Sequence, residues 1–350
     1  MGDTALNVRL GAKTGAFNKA MSGAGAKLQK FGKQVGKVGK SMSMMVTAPL
    51  LMAGAASIKL SLDFQKSMTK IQTLVGRSSE YVKEMKGEVL KLSSESAQSP
   101  KDLADALYFL ESAGLKGSNA LATLETVAKG SAVGLGDMEA LATVGAAAQN
   151  AYGVETLSAS DALDKFNVMV RTGMFDAQEL SNVLGAQLGQ ASSLGISFDE
   201  VGAIISTYTQ VTGDATGAAT GLSAVMMTFS KLETKQTENQ AMALDKIGMS
   251  AGQVKEMMAE KGLMGTMKHL KTKFDENGVA MGAFFTSSQA LKTSLTVLGN
   301  QSGAYADNLD AMGKSTEGAG AIQEGFAETS QTDAFKMEQS MNNLQVSGVA

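Results

Sequence analysis

From about residue 60 to residue 310, apolar side chains return every three or four positions, and almost every run of them opens on Ser, Thr or Asp and closes on glycine. A repeat of 3.6 residues places such side chains on one face of an α-helix. Leu60, Phe64, Met68, Ile71, Leu74 and Val75 mark a first helix, closed by Gly76, and Val82, Met85, Val89, Leu90 and Leu92 mark a second over about 79–93. Ser99 and Pro100 then give a strong start signal, with Asp102 three residues after the serine. The hydroxyl accepts an orphan backbone N–H, proline is pre-set for the first helical position, and the carboxylate favours the positive helix end. Leu103, Leu107 and Leu110 supply the buried face and Gly114 the stop, since glycine takes the left-handed conformation at little cost.

The scheme recurs along the body. Ser118 leads a helix closed by Gly130, Asp137 one closed by Gly153, and Ser160 one with Leu163, Phe166 and Val170 that ends at Gly173. Asp176 with Glu179, Ser197 with Glu200, Thr237 with Gln240 and Ser250 with Gln253 have the spacing of capping boxes. Leu222, Val225, Met226, Phe229 and Leu232 mark a further face. No sustained run of β-branched or aromatic residues alternates with polar ones, so strands are not expected. The fold class is therefore all-α, with residues 60–310 a compact bundle of antiparallel helical hairpins. From Met312 to Gln331 the chain turns polar and glycine-rich, and a last helix begins near Thr332 with Phe335, Met337, Met341 and Leu344. That helix meets no terminator, so 311–350 reads as a polar linker and the start of a helical extension that continues in a longer chain.

Residues 1–59 differ. Between Asp3 and Asp63 there is no acidic residue, while Arg9, Lys13, Lys19, Lys27, Lys30, Lys33, Lys37, Lys40 and Lys59 fall there, so a net charge of −3 conceals a basic arm on a mildly acidic body. The arm is rich in Gly and Ala. Leu28, Phe31, Val35, Val38 and Met42 predict an amphipathic helix edged by a glycine stripe (Gly32, Gly36, Gly39) and a lysine stripe. The lysines are read as a solvated face, with phosphates or anionic lipid as the alternative. Met42–Ile58 is uncharged, yet it is short for a membrane span and holds Pro49 at its middle. A buried hairpin or core helix is the expectation for it, and transient membrane insertion the alternative.

Composition narrows the chemistry. With 2 prolines, helices can run almost anywhere; with no tryptophan and 23 methionines, packing falls to Ala, Leu, Val and Met. Methionine serves either as ordinary core filler or as a surface that repacks during a conformational change. Cysteine is absent, which removes disulfides and thiolate zinc sites, and His269 is the one histidine, which removes multi-histidine metal sites. Neither an EF-hand loop nor a P-loop is present, and Gly134-Leu135-Gly136 and Gly23-Ala24-Gly25 do not follow a strand as a dinucleotide site requires. Glu111 and Glu125 are the nearest thing to paired carboxylates, but both are read as solvated polar positions of amphipathic helices. No catalytic, cofactor-binding or metal-binding residue is assigned, no cofactor is expected, and a structural or interaction protein rather than an enzyme is the result.

Several stretches, in their order along the chain, carry a resemblance. They are Val46-Thr47-Ala48-Pro49-Leu50 ahead of an alanine-rich stretch and Asp63-Phe64; Met68-Thr69-Lys70-Ile71 leading to Gly76; and Ser99-Pro100 through Ala104 and Ala106 to Ala113-Gly114-Leu115. Ala191 to Gly195 with Ser197-Phe198-Asp199-Glu200, and Thr212-Gly213-Asp214 to Leu222, follow. Over about 45–345 the chain resembles the core region of phage tail tape measure proteins, although many members read Ala-Gly-Thr where this chain has Ala219-Thr220-Gly221. The resemblance implies a structural ruler in the lumen of the tail tube, made in the host cytoplasm and carried in the virion, that sets tail length during assembly and leaves ahead of DNA during genome ejection. It implies as partners the tail tube protein, tail assembly chaperones and distal tail or tip proteins, self-association inside the tube, and transient membrane contact through 42–58. Contact with nucleic acid would be non-specific, since the arm lacks interleaved aromatics beyond Phe17 and Phe31. A membrane-active helical protein, a pore former or an injected channel component, is the alternative. Some members of the family carry wall-degrading domains, and nothing in this sequence points to one.

Overall fold

A computed structural model describes residues 61–318 and 320–349. The basic arm over 1–59, its lysine-edged helix and the Met42–Ile58 run with its expected membrane contact lie outside the described residues. Among the described residues the chain is all-α, as the periodicity predicts, with sixteen helices and no strand. They are α1 (61–73), α2 (Ser79–Ser96), α3 (Pro100–Ser112), α4 (Gly117–Ala132), α5 (Met138–Tyr152), α6 (Ala159–Thr172), α7 (Ala177–Ser193) and α8 (Phe198–Thr212). There follow α9 (Ala215–Lys231), α10 (Glu238–Lys246), α11 (Ala251–Glu276), α12 (Met281–Phe284), α13 (Ser288–Leu298), α14 (Ser302–Lys314), α15 (Ala321–Thr329) and α16 (Asp333–Val349).

The start signals are made largely as read. Ser99 Oγ accepts the Asp102 N–H at 3.2 Å, Asp137 Oδ1 that of Ala140 at 2.8 Å, and Asp176 Oδ1 that of Glu179 at 2.7 Å. Reciprocal capping boxes close at Thr237/Gln240 and Ser250/Gln253. The differences are local. α6 is capped by Ser158 rather than Ser160, because the chain enters the helix two residues sooner. α4 has no side-chain cap, and Gly130 lies inside it, pressed against Leu141; the left-handed residue beyond its end is Gly134, φ 81°. Leu74 is not part of a buried face: α1 ends at residue 73, the backbone turns at Gly76, and the leucine is 70% exposed. In the polar stretch from Met312, α14 runs on to Lys314 and α15 forms.

The described residues divide into two units, those up to Ala104 together with those from Asp333, and Asp105–Thr332. In the first, α16 packs on α2, and Gln339 Nε2 donates to the Ser94 carbonyl at 2.8 Å. The inward positions of α16 are Phe335, Gln339 and Asn342, spaced four and three. Met337 and Met341 therefore fall on another face and are exposed.

In the second unit α8 is the centre. Helices α6, α7, α9, α13 and α14 all pack on it, and every residue from Val201 to Thr209 is buried. A helix buried all round cannot show its hydroxyls to water, so Thr207 and Thr209 donate to carbonyls one turn back, Ala203 O at 2.6 Å and Ile205 O at 2.9 Å. Asn308 Nδ2 of α14 donates to Thr207 Oγ1 at 2.9 Å, and Gln210 Nε2 to Thr172 O at 2.8 Å, which ties α8 to α14 and α6. Close crossings are made over glycine. A Cβ at Gly202 would fall 2.5 Å from Met312 Sδ, and one at Gly221 of α9 would fall 1.9 Å from Thr293 Oγ1 of α13. Phe229, Phe274, Phe284 and Phe285 form an aromatic cluster, with the Phe284 and Phe285 rings edge to face at 5.0 Å.

Candidate functional site

The carboxylates and the histidine weighed for chemistry stand on three different helices, α3, α4 and α11. Glu125 is exposed and pairs with Lys129 of its own helix at 2.7 Å. Glu111 is 2% exposed rather than solvated: it continues the Leu103, Leu107 stripe by one more turn and so faces inward. His269 lies half-buried on α11. Among the described residues no group of three or more His, Cys, Asp or Glu side chains is placed to hold a metal ion. Among the described residues no helix is long and apolar enough to cross a membrane.

The buried polar chemistry gathers instead at helix starts. Ser197 opens α8 and accepts the Glu200 N–H at 3.1 Å. The Glu200 carboxylate in turn accepts the Met264 N–H at 3.1 Å. Met264 stands just past a break in α11, where Gly262 has φ 70° and ψ −177° and the helix restarts with its first amides unpartnered within the chain segment. A Cβ at Gly262 would lie 2.6 Å from Glu200 Oε1, so only glycine lets the carboxylate come this near. Burial pushes the Glu200 carboxyl above the usual carboxylate range, and the amides of Met264, Ser197 and Leu263 pull it back in that order. Beside it, Lys165 of α6 bonds Asp199 at 2.6 Å. Tyr152 donates to Ile196 O at 3.0 Å, and burial, then the Glu200 charge, raises its phenol. Tyr305 is raised for the same reasons in the same order.

A second site of this kind lies at α15. Asp164, on α6, is 2% exposed, and its Oδ1 accepts the Ile322 N–H at 2.7 Å. The residue before α15 is Gly320, φ 82°, where a Cβ would fall 2.2 Å from Asp164 Oδ2. Burial raises the Asp164 carboxyl, while the amides of Ile322 and Ala321 lower it. Both arrangements pair a left-handed glycine with a carboxylate from a remote helix, and both aim the carboxylate at amides and the positive helix end. Such groups fix where a helix begins. Neither role was read from the sequence, because the partner amides lie 64 and 158 residues away. The legible trace of Asp164 was its place beside Leu163 on an inward face, where an unpaired carboxylate does not belong. An open pocket of about 340 Å³ lies between Tyr208, Asp214, Gln289 and Lys292. There Asp214 already caps α9, accepting the Gly217 N–H at 2.7 Å, and Lys292 sits 5.3 Å from the Tyr208 ring centre.

Residues 86–286, more than half the chain, match the family described as phage-related minor tail protein. The tape measure protein of Pneumococcus phage Dp-1 is 29% identical over 168 residues, covering 48% of this chain and 15% of that protein. The probable tape measure protein of Clostridium phage phiCD119 is 26% identical over 297 residues, 82% of this chain and 31% of that protein. No solved structure matches. The chain thus spans less than a third of the length of either relative, and it belongs to the phage minor tail and tape measure protein family, as a component of the phage tail and hence of the virion.

Proposed function

We propose that the chain is part of a tape measure protein, a structural ruler that lies in the lumen of the tail tube, sets where tube growth stops, and is released ahead of DNA during ejection. The observation that supports this best is the similarity to a probable tape measure protein across 82% of the chain. The helical body suits the role physically, because a helix rises about 1.5 Å per residue and length can scale with residue number. Even as one continuous helix, this chain would reach only on the order of 500 Å. In this reading the arm over 1–59 comes first, 60–310 is the tape measure core, and 311–350 is a polar linker and the start of a further helix. Its partners are the tail tube protein, tail assembly chaperones and distal tail or tip proteins, with further copies of itself inside the tube, and this part of the protein does no chemistry of its own.

The test is tail length in particles whose gene carries in-frame deletions within this region, measured by negative-stain microscopy. Tails shortened in proportion to the residues removed are expected. Assembled tails of unchanged length would remove the ruler role.

A second reading, membrane action, has one observation in its favour, the uncharged Met42–Ile58 run beside a lysine-rich stretch. Binding of the full chain to anionic liposomes, lost on deletion of 42–58, is what that reading requires.

A further inference from the structure

α15 is held differently from the other helices of its unit. Of its nine residues only Ile322 is buried, resting against Gly130 of α4. Further contacts hold it beside α4: Lys129 Nζ bonds Gln323 Oε1 at 2.9 Å and stands 5.8 Å from the ring centre of the half-buried Phe326, and a Cβ at Gly325 would fall 3.4 Å from Val133 Cγ1. Its start has no capping side chain of its own, since Gly320 precedes it, and Asp164 supplies the acceptor from α6. A helix of this length does not persist alone in water, because the cost of nucleation is recovered only over a dozen or more residues. Hence α15 is helical only while it is docked, and Ile322 and the Asp164 carboxylate are its buried anchors.

We infer that Gly320–Thr332 is a releasable strap, latched by the Asp164 carboxylate, which opens as a unit while the rest of Asp105–Thr332 stays folded. Opening would break the Asp164 bonds to the strap's first amides and uncover Ile322, its one fully buried side chain, whereas loosening α8 would strip a helix buried on every side. The gain in reach is substantial: α15 as a helix is about 14 Å long, and the same stretch from Gly320 to Thr332 drawn out spans roughly 45 Å. A chain that must be paid out in a confined space has use for such slack. The inference rests on the packing, not on the ruler reading, and each can fail without the other.

The chain contains no cysteine, so a single introduced thiol reports opening at one position. Ile322→Cys probes the strap and Ile204→Cys the centre of α8, each labelled under native conditions alone and combined with Asp164→Ala, Asp164→Asn or Gly320→Ala. Asp164→Ala and Gly320→Ala are expected to speed labelling at position 322 by about ten- to a hundredfold and to leave position 204 unchanged. Asp164→Asn keeps an acceptor oxygen and should hold the strap near its original rate. Equal acceleration at both positions would overturn the proposal, because the bond would then belong to the global fold. So would a rate at position 322 that neither Asp164→Ala nor Gly320→Ala alters.

Discussion

α8 and α15 each begin where a side-chain oxygen accepts an orphan amide, yet they are held in opposite ways. α8 carries its own cap in Ser197, and its side chains are buried from Val201 to Thr209. α15 borrows its cap from Asp164 and buries one side chain. The chemistry of the start is the same in both, acceptor oxygen to orphan amide. Only the surrounding burial separates a helix whose loss is the loss of the unit from one that can leave. A cap decides where a helix begins; the area it takes out of water decides whether it stays.

The largest effect expected from this contrast is in the matched truncations Ile204→Ala and Ile322→Ala. Both delete the same atoms from fully buried positions. Ile204→Ala should cost about 2–5 kcal/mol in urea unfolding. Ile322→Ala should cost distinctly less, because its penalty is capped by the free energy of releasing α15 alone. Equal costs would erase the distinction. Next in size is Gly221→Ala, expected to lose about 1–3 kcal/mol, since its Cβ would strike the stiff side chain of Thr293 on α13. Combining it with Thr293→Ala should recover much of the loss; no recovery would mean the crossing is not what Gly221 permits. Ser197→Ala follows at about 1 kcal/mol, read as a fall in the same unfolding midpoint.

The smallest effect is in pH. Asp164 and Glu200 both sit above the usual carboxylate range in the folded chain. Between the unfolded and folded values the native state binds more protons, so the stability each contributes is present at acid pH and is lost as pH rises through its raised value. The unfolding free energy of Asp164→Asn or Glu200→Gln should therefore change less with pH across that window than that of the unaltered chain. A steeper dependence in either variant would reverse the assignment.

How far the sequence discloses this arrangement depends on the range of each interaction. Caps at Ser99, Asp137, Asp176, Ser197, Thr237 and Ser250 act over three residues, so they are legible, and with them most of the helices. The faces of α3 and α8 follow from spacing, although the inward turn of Glu111 shows that a stripe can continue through a charged residue. Spacing does not place the contact face of α16, because methionine is apolar wherever it stands: Met337 and Met341 keep helical spacing on an exposed face. The paired sites at Gly262 and Gly320 were not legible, since each needs a carboxylate brought from far along the chain by the finished fold. What local signals do offer there is an oddity, a glycine within or before a helix and an acid on an inward face.

Native-state hydrogen exchange of the unaltered chain in rising denaturant places both helices on one scale. The amides of α8 should exchange only through complete unfolding of the unit, with a free energy that falls steeply as denaturant is added. Those of α15 from Ile322 onward should exchange through an opening of much lower free energy that is nearly independent of denaturant, because little surface is exposed. If α15 and α8 share one free energy and one denaturant slope, the strap is simply part of the body and the contrast between the two helices does not hold.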